Sequence, residues 1–177
     1  MYEVAVFANI AVILVAVVDY IRRMWTGKTD PVPATWILMM VMIGLTFWMY
    51  WQSPIKSWTA NIGVVTGMAN IATVLVSVIV LNLRRGTLRV AFTPVQKRCL
   101  AGGAGVVAFW LVTDNPFTSY ILIQIIALIA FFATVERVWK AQYSTEPLFF
   151  WVASVAANLI ALYPAWVTNN PFSWIFL

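Results

Sequence analysis

Six apolar runs, at residues 4–18, 35–51, 60–81, 99–113, 116–135 and 148–167, take up most of this 177-residue chain and leave it few ways to fold. Each is near the roughly 20 residues that a helix needs to cross a hydrocarbon core of about 30 Å, with flanking residues and tilt covering the shorter ones. The runs are continuously apolar, whereas strands of a membrane barrel alternate lipid-facing and lumen-facing residues. Where water is absent the backbone must satisfy its own hydrogen bonds, and a helix does so within one segment. The expected fold is therefore all-α, a polytopic membrane bundle of about six transmembrane helices. Hydrophobic residues are 63% of the chain and charged ones 10%, so the lipid bilayer is its solvent. Glu3 and the lack of an early basic cluster argue against a cleaved signal peptide, so the first run is expected to persist as a helix.

The basic residues set an orientation. Arg22, Arg23 and Lys28 follow the first run, Arg84, Arg85, Arg89, Lys97 and Arg98 the third, and Arg137 and Lys140 the fifth, while only Lys56 falls in an even-numbered loop. The odd loops are expected on the cytoplasmic side and the N-terminus outside. The net charge of +5 is thereby explained by topology, and no nucleic-acid partner is expected. Histidine is absent and Cys99 is the single cysteine, which excludes a disulfide framework, a Cys/His zinc site and histidine ligation of haem within the chain. With no carboxylate pair in one segment either, no enzyme activity, catalytic residue, metal or cofactor is expected.

Within this apolar background two stretches echo each other. Asp19, Trp36 and Trp51 are matched by Glu136, Trp151 and Trp166, the two tryptophans standing fifteen residues apart in both copies. Each pair follows a basic, proline-bearing loop, with Pro31 and Pro33 in the first and Pro147 in the second. Any two membrane helices share composition but not landmarks, so this spacing argues for an internal repeat. Three further loops share a Ser or Asn, a proline and an aromatic: Ser53-Pro54 to Trp58, Asn115-Pro116 to Tyr120, and Asn170-Pro171 to Trp174. These read as helix starts, because Ser or Asn caps free N–H groups and proline suits the first helical position. Only Ile175, Phe176 and Leu177 follow Trp174, so the second unit is expected to lack most of its third helix. The organisation expected is a first three-helix unit at residues 1–83, a cytoplasmic loop and linking helix at 84–114, and an incomplete second unit at 115–177.

This arrangement resembles the superfamily of SWEET, PQ-loop and nicotinamide riboside transporters. The likeness is to uncharacterised bacterial membrane proteins of that group, through Gly27-Lys28-Thr29-Asp30-Pro31-Val32-Pro33-Ala34-Thr35-Trp36 and Thr113-Asp114-Asn115-Pro116. It covers nearly the whole chain, although the Pro-Gln dipeptide of the PQ-loop group is missing from both loops. The resemblance implies a SWEET-like 3+1+3 helix arrangement in a bacterial inner membrane, with the N-terminus outside and a solute passing between the two units. It also implies a central site built from the third helix of each unit, of which only the first is complete here. A truncated sequence, a wall supplied by a partner and a loss of transport all remain open.

Candidate site residues follow from polar groups inside apolar runs. Gly63, Thr66, Gly67, Asn70, Thr73 and Ser77 fall three or four apart, placing small and polar groups on one helical face. Gly63 and Gly67 would let another backbone approach, and packing is the plainer use of the face. Asn70, Asn158, Thr66 and Gln124 are the candidate substrate-binding residues, although packing and hydrogen bonding between helices are the plainer use of such groups, Asn9 included. Asp19 and Glu136 are candidate gate residues, against local ion pairing with Arg22, Arg23 and Lys140. Eight of the ten tryptophans, Trp36 and Trp151 among them, fall near helix ends, where an aromatic belt accounts for most. Trp48 and Trp110 lie deeper and are candidates for contact with a ligand or partner.

Two functions compete. One is facilitative transport of an uncharged or weakly polar small solute, because no ionisable relay falls at mid-membrane. The other is a non-transporting accessory or structural subunit docked on a larger membrane complex, since a fold can outlive its activity. Two incomplete units could also complete one another in a homodimer.

Overall fold

The computed structural model describes residues 1–140 and 146–177, leaving aside the side chains of residues 133, 136–138 and 140. Its described residues form seven helices and no strand: α1 (Tyr2–Trp25), α2 (Pro33–Trp51), α3 (Ile62–Arg84), α4 (Pro94–Thr113), α5 (Pro116–Lys140), α6 (Leu148–Thr168) and the short α7 (Pro171–Phe176). Four of them, α1, α2, α3 and α6, are long and apolar enough to cross a membrane, and Pro116–Phe132 within α5 is a shorter apolar stretch.

Helix ends follow local chemistry. Both α1 and α3 stop at a glycine in the left-handed region, Gly27 (φ 72°) and Gly86 (φ 64°). In each case the next residue returns a hydrogen bond to the last helical turn, Lys28 to Arg23 and Thr87 to Asn82, which satisfies carbonyls that the helix leaves open. Asn115 and Asn170 cap α5 and α7 ahead of Pro116 and Pro171, Asn170 Oδ1 accepting from the N–H groups of Phe172 and Ser173. Pro54 does not start a helix. The α3 helix begins at Ile62, because the Tyr50 hydroxyl captures both the N–H and the C=O of Ser57 and holds the intervening chain in turns. The α4 helix begins at Pro94, five residues before its apolar run, on a reciprocal cap in which Thr93 and Gln96 bond each other's backbone N–H.

Packing sorts the helices into two sides. Helix α3 lies against α1 and α2, and α4 against α5 and α2, while α7 reaches α3, α5 and α6. The sides meet where α1 packs along α6 and α5 packs along α2. Ala153, Ala157 and Ala161 recur every fourth residue on the buried face of α6, so α1 can approach closely. The main core joins Ile13, Val17 and Tyr20 of α1 to Val74 and Val78 of α3 and Phe150 of α6. Large apolar side chains such as Phe7, Leu14 and Val18 on α1, and Val152, Val155 and Leu159 on α6, point outward, as they would toward lipid.

Candidate functional site

A cavity of about 600 Å³ lies between the two sides, walled by α2, α3, α5, α6 and the end of α7. Its lining is chiefly aliphatic and aromatic and includes no charged side chain among the described residues. All four candidate binding residues, Thr66, Asn70, Gln124 and Asn158, line it. Sequence reading missed Thr46 and Thr134, which also line it, because single threonines inside apolar runs carry no distinguishing pattern.

The polar groups of the cavity differ in how far they are already engaged. Each lining hydroxyl is close to a backbone carbonyl one turn back: Thr46 to Met42, Thr66 to Ile62, Thr134 to Ala130 and Ser154 to Phe150, at 2.8–3.0 Å. Gln124 Nε2 donates to the Thr46 hydroxyl at 2.9 Å, tying α5 to α2. Asn70 stands apart. Its side chain is buried and its Oδ1 has no hydrogen-bond partner, although buried polar atoms in folded proteins are nearly always paired. With the Thr46, Thr134 and Ser154 hydroxyls turned to their own helices, the wall presents the amides of Asn70 and Asn158, each able to donate and accept, and the Nε1–H of Trp36, a buried donor without a partner. It suits a small guest with polar groups of both kinds, an O–H or N–H among them for Asn70 Oδ1.

Rings close the cavity toward the basic loops. Tyr20, Trp36 and Phe150 meet edge to face with centroids 4.9–5.8 Å apart, and Trp151 extends the set from Phe150 to Phe131 of α5. Such pairs favour this geometry through their quadrupoles. The belt assignment therefore fails for two tryptophans: Trp36 is 1% exposed, and both it and Trp151 line the cavity. Beneath the rings the Tyr20 hydroxyl donates to Glu146 Oε2 at 2.7 Å, and both residues are buried. Glu146 drew no attention in the sequence because it precedes Pro147 in an apparent loop.

Other expected site residues lie elsewhere. Asp19 pairs with Arg23 within α1 at 2.7 Å and does not line the cavity. The side chain of Glu136, with those of Arg137 and Lys140, lies outside the described residues. Trp48 and Trp110 meet each other edge to face, 6.1 Å between centroids, where α2 and α4 adjoin, and neither lines the cavity. The α3 stripe also divides. Gly63, Thr66, Gly67 and Asn70 face the cavity, whereas Thr73 and Ser77 bond back to their own helix beyond it. What approaches these glycines is not a second backbone but side chains, those of Leu177 and Phe176 at Gly63 and those of Ile43 and Phe176 at Gly67.

Scans of protein-family models, curated proteins and solved structures find no match to this chain.

Proposed function

We propose that this protein is a facilitative carrier for a small, uncharged, donor-bearing solute, with the central cavity as its binding site. The observation that carries this reading is Asn70, a buried amide acceptor without a partner on the wall of a 600 Å³ uncharged cavity. A protein fold has little reason to bury such an atom, which costs about 1–3 kcal/mol unless something bonds it. A hydroxyl or N–H of a guest would do so, while the surrounding rings and aliphatic groups accept its less polar faces.

Support for a transporter scaffold of the SWEET-like kind comes from correspondences between the halves. Trp36 + 115 is Trp151, Trp51 + 115 is Trp166, and Asn9 + 115 is Gln124. Trp36 and Trp151 share the cavity wall. Trp51 packs against Trp58 after its helix, as Trp166 packs against Trp174. Asn9 bonds the Ala157 carbonyl of α6, and Gln124 bonds Thr46 of α2, the same kind of tie between opposite helix pairs. Internal duplication of this sort is common in carriers that bind near the midplane between repeats. On this reading six helices span the membrane, the basic loops face the cytoplasm and the N-terminus lies outside.

The accessory-subunit reading draws on one feature, the Trp48–Trp110 pair on the outer face, where Trp48 is half exposed. That pair is compatible with a protein partner and equally with lipid, so the cavity weighs more.

The test is binding. Purified protein is heated with each of a panel of neutral solutes, namely glycerol, ribose, glucose, uracil and nicotinamide, while unfolding is followed. At least one should raise the midpoint for the wild type and fail to do so for Asn70→Ala, because a ligand that binds only the folded state stabilises it by RT ln(1 + [L]/Kd). Equal shifts in both proteins would remove Asn70 from the site.

A further inference from the structure

A second pocket, of about 460 Å³, lies where the loops after α1 and α3 meet, and we infer that it holds the phosphoethanolamine headgroup of a membrane phospholipid. Among the described residues it shares no lining residue with the central cavity, and its wall carries Thr29, Asp30, Asn82, Arg85, Thr87 and Arg89. Two of these are already engaged: the Asn82 amide donates to the Val78 carbonyl and accepts from the Thr87 hydroxyl at 3.2 Å. The other four have bonding capacity left. Thr29 is 4% exposed, and its buried hydroxyl has no hydrogen-bond partner. Arg85 gives one Nη to the Met24 carbonyl of α1 at 3.4 Å, which leaves most of its five donors. Among the described residues Asp30, Arg85 and Arg89 form no ion pair, with one another or with any other side chain.

A phosphate group answers Thr29, Arg85 and Arg89 together. Guanidinium forks match its oxygens, and the Thr29 hydroxyl adds a further donor. A phosphate alone would still face the Asp30 carboxylate in the same pocket, where like charges repel. A ligand that carries an ammonium beside its phosphate removes that conflict by giving the ammonium to Asp30. The position of the pocket selects a lipid as the bearer of both groups. It sits at the ends of α1 and α3, both long and apolar enough to cross a membrane, at the level where headgroups would lie. Arg84, next to Arg85, stands over the exposed Trp25 ring, 5.2 Å from its centroid, and such pairs suit that layer. Along the same two helices Val18 and the row Val76, Val80 and Leu83 are exposed, so acyl chains have apolar surface to lie on.

Native mass spectrometry of the full chain in mild detergent tests this. The protein is titrated separately with dilauroyl phosphatidylethanolamine, dilauroyl phosphatidylglycerol, soluble glycerophosphoethanolamine and inorganic phosphate, and affinity is read from the bound fraction. The parent should hold one phosphatidylethanolamine several-fold more tightly than phosphatidylglycerol, and added salt should weaken both. Replacing both arginines, Arg85→Gln with Arg89→Gln, should lower the affinity for both lipids several-fold, as loss of exposed charge-assisted bonds does. Asp30→Asn should abolish the preference between them. Thr29→Val, which keeps the shape and deletes only the unpaired hydroxyl, should weaken phosphatidylethanolamine binding while the lipid-free unfolding midpoint stays level or rises. Equal affinity of the parent for the two lipids would overturn the headgroup assignment. So would unchanged binding and preference in Asp30→Asn and Thr29→Val proteins that unfold like the parent. Glycerophosphoethanolamine bound as tightly as the lipid would make the ligand a soluble phosphate ester, and phosphate bound as tightly would leave only an anion site, and either result overturns the lipid.

Discussion

The Thr66 hydroxyl lies 2.9 Å from Oδ1 of Asn9, and the Asn9 amide donates in turn to the Ala157 carbonyl at 2.7 Å. One fully buried side chain on α1 thus joins α3 to α6. This is the structural use of a membrane-buried amide, and it contrasts with Asn70 one helix away.

Replacing Asn9 should therefore loosen the bundle. Asn9→Leu removes both interhelical bonds and leaves Thr66 with only its own helix carbonyl, at a cost of about 1–3 kcal/mol. Thermal unfolding in mild detergent should register a clearly lower midpoint.

Asn70→Ala should behave in the opposite way. Because Asn70 Oδ1 has no partner, its removal deletes an unsatisfied acceptor, and stability should stay within about 0.5 kcal/mol of wild type or rise. Solute binding should fall several-fold at the same time. A matching loss of stability and binding would assign Asn70 to packing.

The two glycines that face α7 should respond differently to alanine. A Cβ on Gly67 meets nothing closer than 3.7 Å, so Gly67→Ala should gain up to about 1 kcal/mol from helix propensity. On Gly63 it would come within 3.0 Å of Leu177 and 3.2 Å of Phe176, so those side chains must shift and the gain should shrink or reverse. Paired unfolding curves measure the difference.

The cap on α4 gives a local prediction. Thr93→Ala removes the acceptor for the Gln96 N–H, and should cost about 0.5–2 kcal/mol. Hydrogen exchange should quicken over the first turn of α4 and little elsewhere.

Much of this architecture was legible in the apolar runs, because hydrophobic length and helix-start residues act locally. Asn115-Pro116 and Asn170-Pro171 start helices as their chemistry requires, and the all-helical fold follows from backbone pairing in an apolar medium. Thr93-Pro94-Val95-Gln96 carried a readable cap that the hydrophobic count obscured. Pro54 misled because its fate depends on the Tyr50 hydroxyl, a contact that no spacing reveals. The candidate binding residues were found as polar atoms in apolar surroundings, yet that criterion does not tell Asn9, which is engaged on both sides, from Asn70, which is not. Trp36 was lost among the interfacial tryptophans for a similar reason. Helix ends and cavity walls coincide when a cavity reaches the end of a bundle, and sequence position alone does not separate them. Glu146 needed Tyr20, which lies 126 residues away.

Passage of neutral solutes through the Asn70 cavity, as proposed, is measured directly by flux. Proteoliposomes loaded with protein are shifted into hyperosmotic glycerol, ribose, glucose or uracil, and the re-swelling that follows solute entry is timed by light scattering. At least one solute should enter faster than in protein-free liposomes, and Asn70→Ala should reduce that entry several-fold at equal protein incorporation. Rates equal to those of empty liposomes for every solute, or a flux that Asn70→Ala leaves unchanged, would contradict the proposal.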